Sequence, residues 1–172
     1  IQSFKDLPLS PEMMRSIEDA GVHSLFPIQA QAIIPLLQGK DVIGQAKTGT
    51  GKTAAVGIPM VEKINKKKYS VQGLILVPTR ELAVQVADHI SQLGRYSGLR
   101  VLPIYGGQSI SKQARSLEKG VHIVVGTPGR TIDLLERGIL SLNLVDIVVL
   151  DEADRMLDMG FIDDIDYILG KV

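Results

Sequence analysis

Lys52 and Thr53 close the stretch Ala46-Lys47-Thr48-Gly49-Thr50-Gly51-Lys52-Thr53, which follows a short apolar run and opens a helical pattern. A glycine-containing turn in that setting suits phosphate. Successive backbone N–H groups can close on an anion, and a helix starting near Gly51 aims the positive end of its dipole at the same point. Lys52 can then reach the outer phosphates, and the Thr53 hydroxyl can hold Mg²⁺. The usual pattern begins with Gly, and Ala46 stands in that place here. A second concentration of chemistry, Asp151-Glu152-Ala153-Asp154, follows the apolar run Val145 to Leu150. Carboxylates just past a buried strand are where a phosphate loop needs them. Asp151 can complete the Mg²⁺ site with Thr53, and Glu152 can orient or deprotonate the water that attacks a terminal phosphorus. Taken alone, the acidic run reads equally well as a helix start favoured by its dipole; the phosphate loop upstream decides for chemistry.

Positioning such groups takes a core, and 172 residues with 45% hydrophobic and 22% charged side chains suffice for one globular domain. Apolar runs of strand length recur at Val42-Ile43, Leu74 to Val77, Val101 to Tyr105, Val121 to Val125 and Val145 to Leu150. Their near-continuous hydrophobicity fits strands covered on both faces of a parallel sheet. Helical stripes lie between them, the clearest through Leu82, Val86, Ile90 and Leu93, others through Ile110, Ala114 and Leu117 and through Ile132 and Leu135. Strand and helix alternate, which predicts an α/β fold: an open, mainly parallel sheet with helices on both faces and ligands at the carboxyl ends of the strands. Upstream, Ser10-Pro11-Glu12 reads as the cap and first turn of a helix carrying Met13 and Ile17, with Gly21 as its stop. A second helix starts near Pro27. Pro35 is expected to bend or restart it, and Pro59 to bend the helix after the phosphate loop.

Nineteen basic and nineteen acidic residues cancel, so any nucleic-acid contact must be local. No Cys is present, which excludes disulfides and thiolate metal sites. The longest apolar run, Ala54 to Val61, falls far short of a membrane span, and no signal-peptide layout opens the chain. No membrane partner and an intracellular address are therefore expected, cytoplasmic with nucleus or organelle left open. Lys66-Lys67-Lys68 reads as a solvated connection. Asp158, Asp163, Asp164 and Asp166 read as the solvated start of a helix carrying Phe161, Ile165 and Ile168, and His23, His89 and His122 show no paired ligand spacing.

Asp151 to Asp154 spells DEAD, and the chain resembles the N-terminal RecA-like domain of the DEAD-box RNA helicases over nearly its whole length. The family's phosphate motif matches Ala46 to Thr53, with Ala at its first place and Lys47 where Gln is common. Pro78-Thr79-Arg80-Glu81-Leu82-Ala83 matches its PTRELA motif, Gly106-Gly107 its GG loop, and Thr127-Pro128-Gly129-Arg130 its TPGR motif. The resemblance implies ATP and Mg²⁺ as cofactors and RNA held by its backbone through Pro78, Thr79, Arg80, Gly106, Gly107, Thr127, Pro128, Gly129 and Arg130. Thr79 and Thr127 can cap helices whose free N–H groups face phosphates, with the two arginines beside them. Phe4 and Gln29 match the adenine-recognition elements, the aromatic stacking near the base and the amide pairing with its edge. Leu25 and Phe26 stand where the family has Pro and Thr.

By the same resemblance, residues 1–40 form an N-terminal helical segment with the adenine-recognition motif, and 41–172 an incomplete RecA-like ATP-binding core, the two making one domain. Asp154 is expected to face a second RecA-like domain, which supplies arginine fingers and half of the RNA grip. The family's Ser-Ala-Thr strand has no counterpart before Val172, and it would lie between the phosphate-loop strand and the strand ending at Asp151. The implied function is the ATP-binding domain of an RNA helicase, coupling ATP binding and hydrolysis to local duplex unwinding, with the 172-residue chain alone nearly inactive. Two other readings stand beside it. A module that binds without catalysis is disfavoured by Lys52, Asp151 and Glu152, and a P-loop ATPase acting on proteins or transport by Arg80 and Arg130.

Overall fold

The computed structural model describes residues 3–46 and 51–172. The chain divides into two compact units, Ile1–Lys66 with His89–Leu99, and Lys67–Asp88 with Arg100–Val172. In the first, a 3₁₀ turn over Phe4–Asp6 precedes helices α1 (Pro11–Asp19), α2 (Pro27–Leu37) and α3 (Lys52–Lys63). The start of α1 follows the sequence signal closely. Ser10 Oγ accepts the Met13 N–H at 3.1 Å and donates to Glu62 Oε1 at 2.8 Å, so one hydroxyl caps α1 and ties it to α3. Met13 and Ile17 are buried beneath it, and Gly21 ends the segment at φ 70°. Helices α2 and α3 pack on each other, and both run through their internal prolines, Pro35 and Pro59, as single elements. Gly57 makes room on α3: a Cβ there would lie 2.5 Å from Ile90 and 2.9 Å from Leu93. Tyr96 fastens α1 from outside, its hydroxyl donating to Asp19 and its ring lying 4.2 Å from the Arg15 guanidinium.

The second unit is built on four parallel strands, β1 (Gly73–Leu76), β2 (Val101–Ile104), β3 (Ile123–Gly126) and β4 (Ile147–Leu150), in the order β2-β3-β1-β4. Between and after them come α4 (Arg80–Leu93), α5 (Ile110–Glu118), α6 (Pro128–Glu136), α7 (Ala153–Asp158) and α8 (Ile162–Leu169), and the division between the units falls within α4. Every residue of β1 and β3 is buried, as expected of central parallel strands. Leu74, Leu76, Val124 and Ile104 share one face and join Leu134, Met156, Ile165 and Ile168 in a single core cluster. Ile75, Ile123 and Val125 point to the opposite face by the two-residue period and are buried as well.

One expected strand does not form. Val42 and Ile43 lie in irregular backbone, with Ile43 fully exposed. A strand is held by a ladder alongside and by burial of a face, and these two residues have neither. Lys66 also departs from the solvated reading of its lysine run: it is half-buried, donates to the Val61 carbonyl, and its pKa is lowered by that burial against the opposing pull of Glu62 and Glu12. Among the described residues no helix is long and apolar enough to cross a membrane.

Candidate functional site

Parallel pairing decides where the chemistry gathers in the second unit. Leu76 is level with Gly126 and with Leu150, and Ile104 with Gly126, so all four strands end together. The segments leaving those ends are Pro78-Thr79-Arg80 after β1, Tyr105 to Gln108 after β2, Thr127 to Arg130 after β3 and Asp151 to Asp154 after β4. The sequence motifs thus emerge on one edge of one sheet. The first three of these segments contribute to an open cleft of about 530 Å³ lined by Pro78, Gly106, Thr127, Pro128, Gly129, Arg130, Asp133, Phe161 and Asp164; Asp151 to Asp154 do not line it.

The backbone in this cleft is open to a ligand. A Cβ added at Gly106 or Gly129 would meet nothing within 4 Å, so a phosphate could approach either main chain closely. Thr79 Oγ1 accepts the Leu82 N–H at 3.3 Å and caps α4 as anticipated. Thr127 does not cap α6 with its hydroxyl. Its carbonyl takes the bonds instead, from the Thr131 N–H at 3.1 Å and Thr131 Oγ1 at 2.8 Å. Gly126 permits this turn, because a Cβ there would lie 2.4 Å from Thr131 Oγ1 and 2.8 Å from Ile104.

The two arginines behave differently. Arg80 is exposed, with its guanidinium 5.4 Å from the Tyr105 ring centre, and a Cβ on Gly107 would come within 3.3 Å of it. It is steadied by the loop after β2 yet faces solvent. Arg130 turns inward: its side chain is only 11% exposed, and one terminal nitrogen donates to the Gln108 carbonyl and to Gln113 Oε1, both at 3.0 Å. Asp133 lies 4.0 Å from its Nε.

After β4, Asp151 is half-buried and its N–H donates to the Leu76 carbonyl at 2.9 Å, continuing the ladder one residue past the strand. Glu152 is the one non-glycine residue with positive φ among those described, at φ 53° and ψ 50°. A left-handed glutamate costs about 1–3 kcal/mol and is kept where the surroundings require it. Its exposed carboxylate stands 3.9 Å from Arg155. Asp154 is exposed and accepts the Arg155 N–H at 2.9 Å.

In the first unit, Gly51, the last glycine of the stretch expected from the sequence to hold phosphate, is the N-cap of α3, at φ 80°. Among the described residues no side chain caps α3, and no acid sits in its first turn, so the leading N–H groups at Lys52 and Thr53 suit an anion. Gln29 is 3% exposed and grips this point. Its Oε1 accepts the Phe26 N–H at 3.0 Å, while its Nε2 donates to the Gly51 carbonyl at 3.2 Å. One donor and one acceptor direction of the amide are thereby used, leaving one of each. Phe26 is 46% exposed with its ring edge against Gly51, whereas Phe4 is 3% exposed and packed in the core of this unit. As placed, Phe4 offers no open ring face. Ala46, the first residue of that stretch, is half-buried; Lys47, Thr48, Gly49 and Thr50 lie outside the described residues.

Sequence reasoning missed Asp133, Phe161, Asp164 and Gln113. The first three reach the cleft because α6 packs on α8, a tertiary fact with no linear signal. Gln113 does carry one: with Ile110, Ala114 and Leu117 it falls on the inward stripe of α5, where an apolar residue is expected. His122 is fully buried, its Nδ1 accepting the Arg100 N–H at 3.0 Å as a packing element of the sheet. Among the described residues no group of three His, Cys, Asp or Glu is placed to hold a metal.

Residues 26–172 match the DEAD/DEAH box helicase family. The chain is 57% identical over 170 residues to the DEAD-box ATP-dependent RNA helicase CshA of Geobacillus kaustophilus, covering 99% of this chain and 36% of that protein. The CshA of Bacillus subtilis is 53% identical over 170 residues, with 99% and 34% covered. The crystal structure of a DEAD box protein from the hyperthermophile Methanococcus jannaschii superposes with a TM-score of 0.95 at 42% identity, over 99% of this chain and 47% of that one. The chain thus spans about a third of the length of these two helicases.

Proposed function

Because the chain belongs to the DEAD/DEAH box helicase family, we propose that it is the ATP- and RNA-binding N-terminal RecA-like domain of an RNA helicase that couples ATP hydrolysis to local duplex unwinding. The observation that carries this reading is the convergence of the four strand-end segments on one edge, where Pro78, Gly106 and Thr127 to Arg130 line a common cleft. A single-stranded RNA would lie there with its phosphates against the open main chain at Gly106 and Gly129 and against Arg80. Such contact is independent of sequence, and ribose hydroxyls within reach would separate RNA from DNA.

ATP is assigned to the segment from Ala46 to Thr53 with Gln29. Lys52 would meet the outer phosphates together with the uncapped N–H groups of α3, and the remaining donor and acceptor of Gln29 match the amino group and ring nitrogen of adenine. Oxygen donors suit a hard cation: Thr53 and Asp151 would hold the Mg²⁺ that accompanies the nucleotide, which when bound neutralises charge on the phosphates. One or two such ligands suffice for an ion carried in on phosphates. Glu152 would orient the attacking water and take up its proton; its strained backbone is the kind of outlier that clusters at working sites. Asp154 would face the second RecA-like domain, from which arginine fingers complete the site.

The test is phosphate release by the intact protein with and without single-stranded RNA. Stimulation by RNA is expected. Turnover indifferent to RNA would leave a P-loop ATPase with another substrate, and binding without turnover would leave a non-catalytic module.

A further inference from the structure

Gln113 is one of six buried polar residues among those described, at 2% exposure, and it belongs to none of the sequence motifs. Its side chain is nevertheless engaged at both ends with two of them. Nε2 donates to the Tyr105 carbonyl at 3.2 Å and to Gln108 Oε1 at 3.0 Å, on either side of the Gly106-Gly107 pair. Oε1 accepts from Arg130 at 3.0 Å, and the same arginine nitrogen reaches the Gln108 carbonyl at 3.0 Å. A closed set of hydrogen bonds therefore joins α5, the loop after β2 and the first turn of α6.

We propose that Gln113 is a positioning residue for RNA: with Arg130 it fixes the spacing between the main chain at Gly106-Gly107 and the main chain at Thr127-Pro128-Gly129, of which Gly106 and Thr127 to Gly129 line the cleft. The proposal rests on the reading of that cleft as an RNA site. Its physical basis is the character of the loop. Gly106 and Gly107 have no side chains to pack, Gly107 is left-handed at φ 80°, and both are exposed, so nothing of their own holds them in place. Successive phosphates of one strand sit at fixed separations, and the main chain at Gly106-Gly107 and the N–H of Gly129 can meet them together only while the distance between the two is kept; Pro128 has no N–H, and that of Thr127 is bonded to the Ile104 carbonyl. Burial strengthens the bonds that keep it and penalises any polar group left unpaired. Arg130, assigned from the sequence to touch RNA, lines the cleft and is at the same time bonded inward to the loop after β2 and to Gln113.

Removing the amide should leave the sheet and phosphate loop in place while loosening the cleft. In the intact protein, with a fluorescein-labelled single-stranded RNA and a non-hydrolysable ATP analogue, Q113L is expected to bind RNA about tenfold more weakly, the worth of one or two buried hydrogen bonds. Affinity for the nucleotide analogue without RNA should stay within about twofold of the unsubstituted value. Should Q113L not fold, Q113E is nearly isosteric and carries the test. It keeps an acceptor for Arg130 but sets a carboxylate where Nε2 donated to Tyr105 and Gln108, and the same loss of RNA affinity is expected. A folded Q113E that binds RNA as the unsubstituted protein does overturns the positioning role alone. Absence of RNA binding by the unsubstituted protein would overturn the cleft reading and the proposal with it.

Discussion

On the proposed roles Lys52 would serve binding and Glu152 chemistry, and the two residues occupy different backbone settings. Lys52 opens a helix whose first N–H groups are capped by no side chain among the described residues, so its ammonium and those donors would act on the same anion. Glu152 sits outside that helix in a left-handed turn after β4. Lys52→Ala is therefore expected to abolish nucleotide binding, as read by titration of a fluorescent ATP analogue. Glu152→Gln keeps shape and polarity, and should bind the analogue within about twofold while lowering RNA-stimulated turnover by roughly 100-fold or more, as loss of a general base does. Equal loss of binding in both variants would contradict the two roles. Gln29 is the third informative residue at this scale. Its amide is divided between the Phe26 N–H and the Gly51 carbonyl, so the group matched to adenine also holds the entry to α3.

Elements meet tightly where β3 hands over to α6. Gly126 ends the strand with Thr131 and Ile104 closing over it, and the hydroxyl of Thr131 bonds back to Thr127. Gly126→Ala would push apart a strand, a helix turn and a core isoleucine, costing about 1–3 kcal/mol and lowering the urea midpoint of the intact protein. A midpoint equal to that of the unsubstituted protein would mean that the contact relaxes freely. Much of this layer was legible beforehand. The Val- and Ile-rich runs gave four of five strands because burial on both faces writes itself as continuous hydrophobicity, and Ser10-Pro11 marked α1 because a cap is a local interaction. Val42-Ile43 misled because two apolar residues say nothing about whether a neighbouring ladder exists. Phe4 was readable as aromatic but not as buried, and Arg130 as cationic but not as facing inward. Direction is decided by tertiary neighbours such as Gln113, which lie outside the contiguous letters of any motif.

At the scale of the molecule, the second unit has two unlike edges. Its parallel strands end on the side that carries every motif segment of that unit, and they begin at Gly73, Val101, Ile123 and Ile147 on the other. Links that feed those beginnings, such as residues 137–146 between α6 and β4, carry none of the assigned chemistry. The chain also contains no cysteine. These two facts make a thiol introduced at Asn143, an exposed residue in that link, the unique alkylation site of this chain and one placed away from the cleft. Asn143→Cys carrying a maleimide fluorophore is expected to keep RNA and nucleotide affinities within about twofold of the unlabelled chain, checked by anisotropy. The polarity that a parallel sheet imposes on its loops thus offers an optical handle: dye chemistry can be done at one end of the strands while the proposed RNA cleft lies at the other.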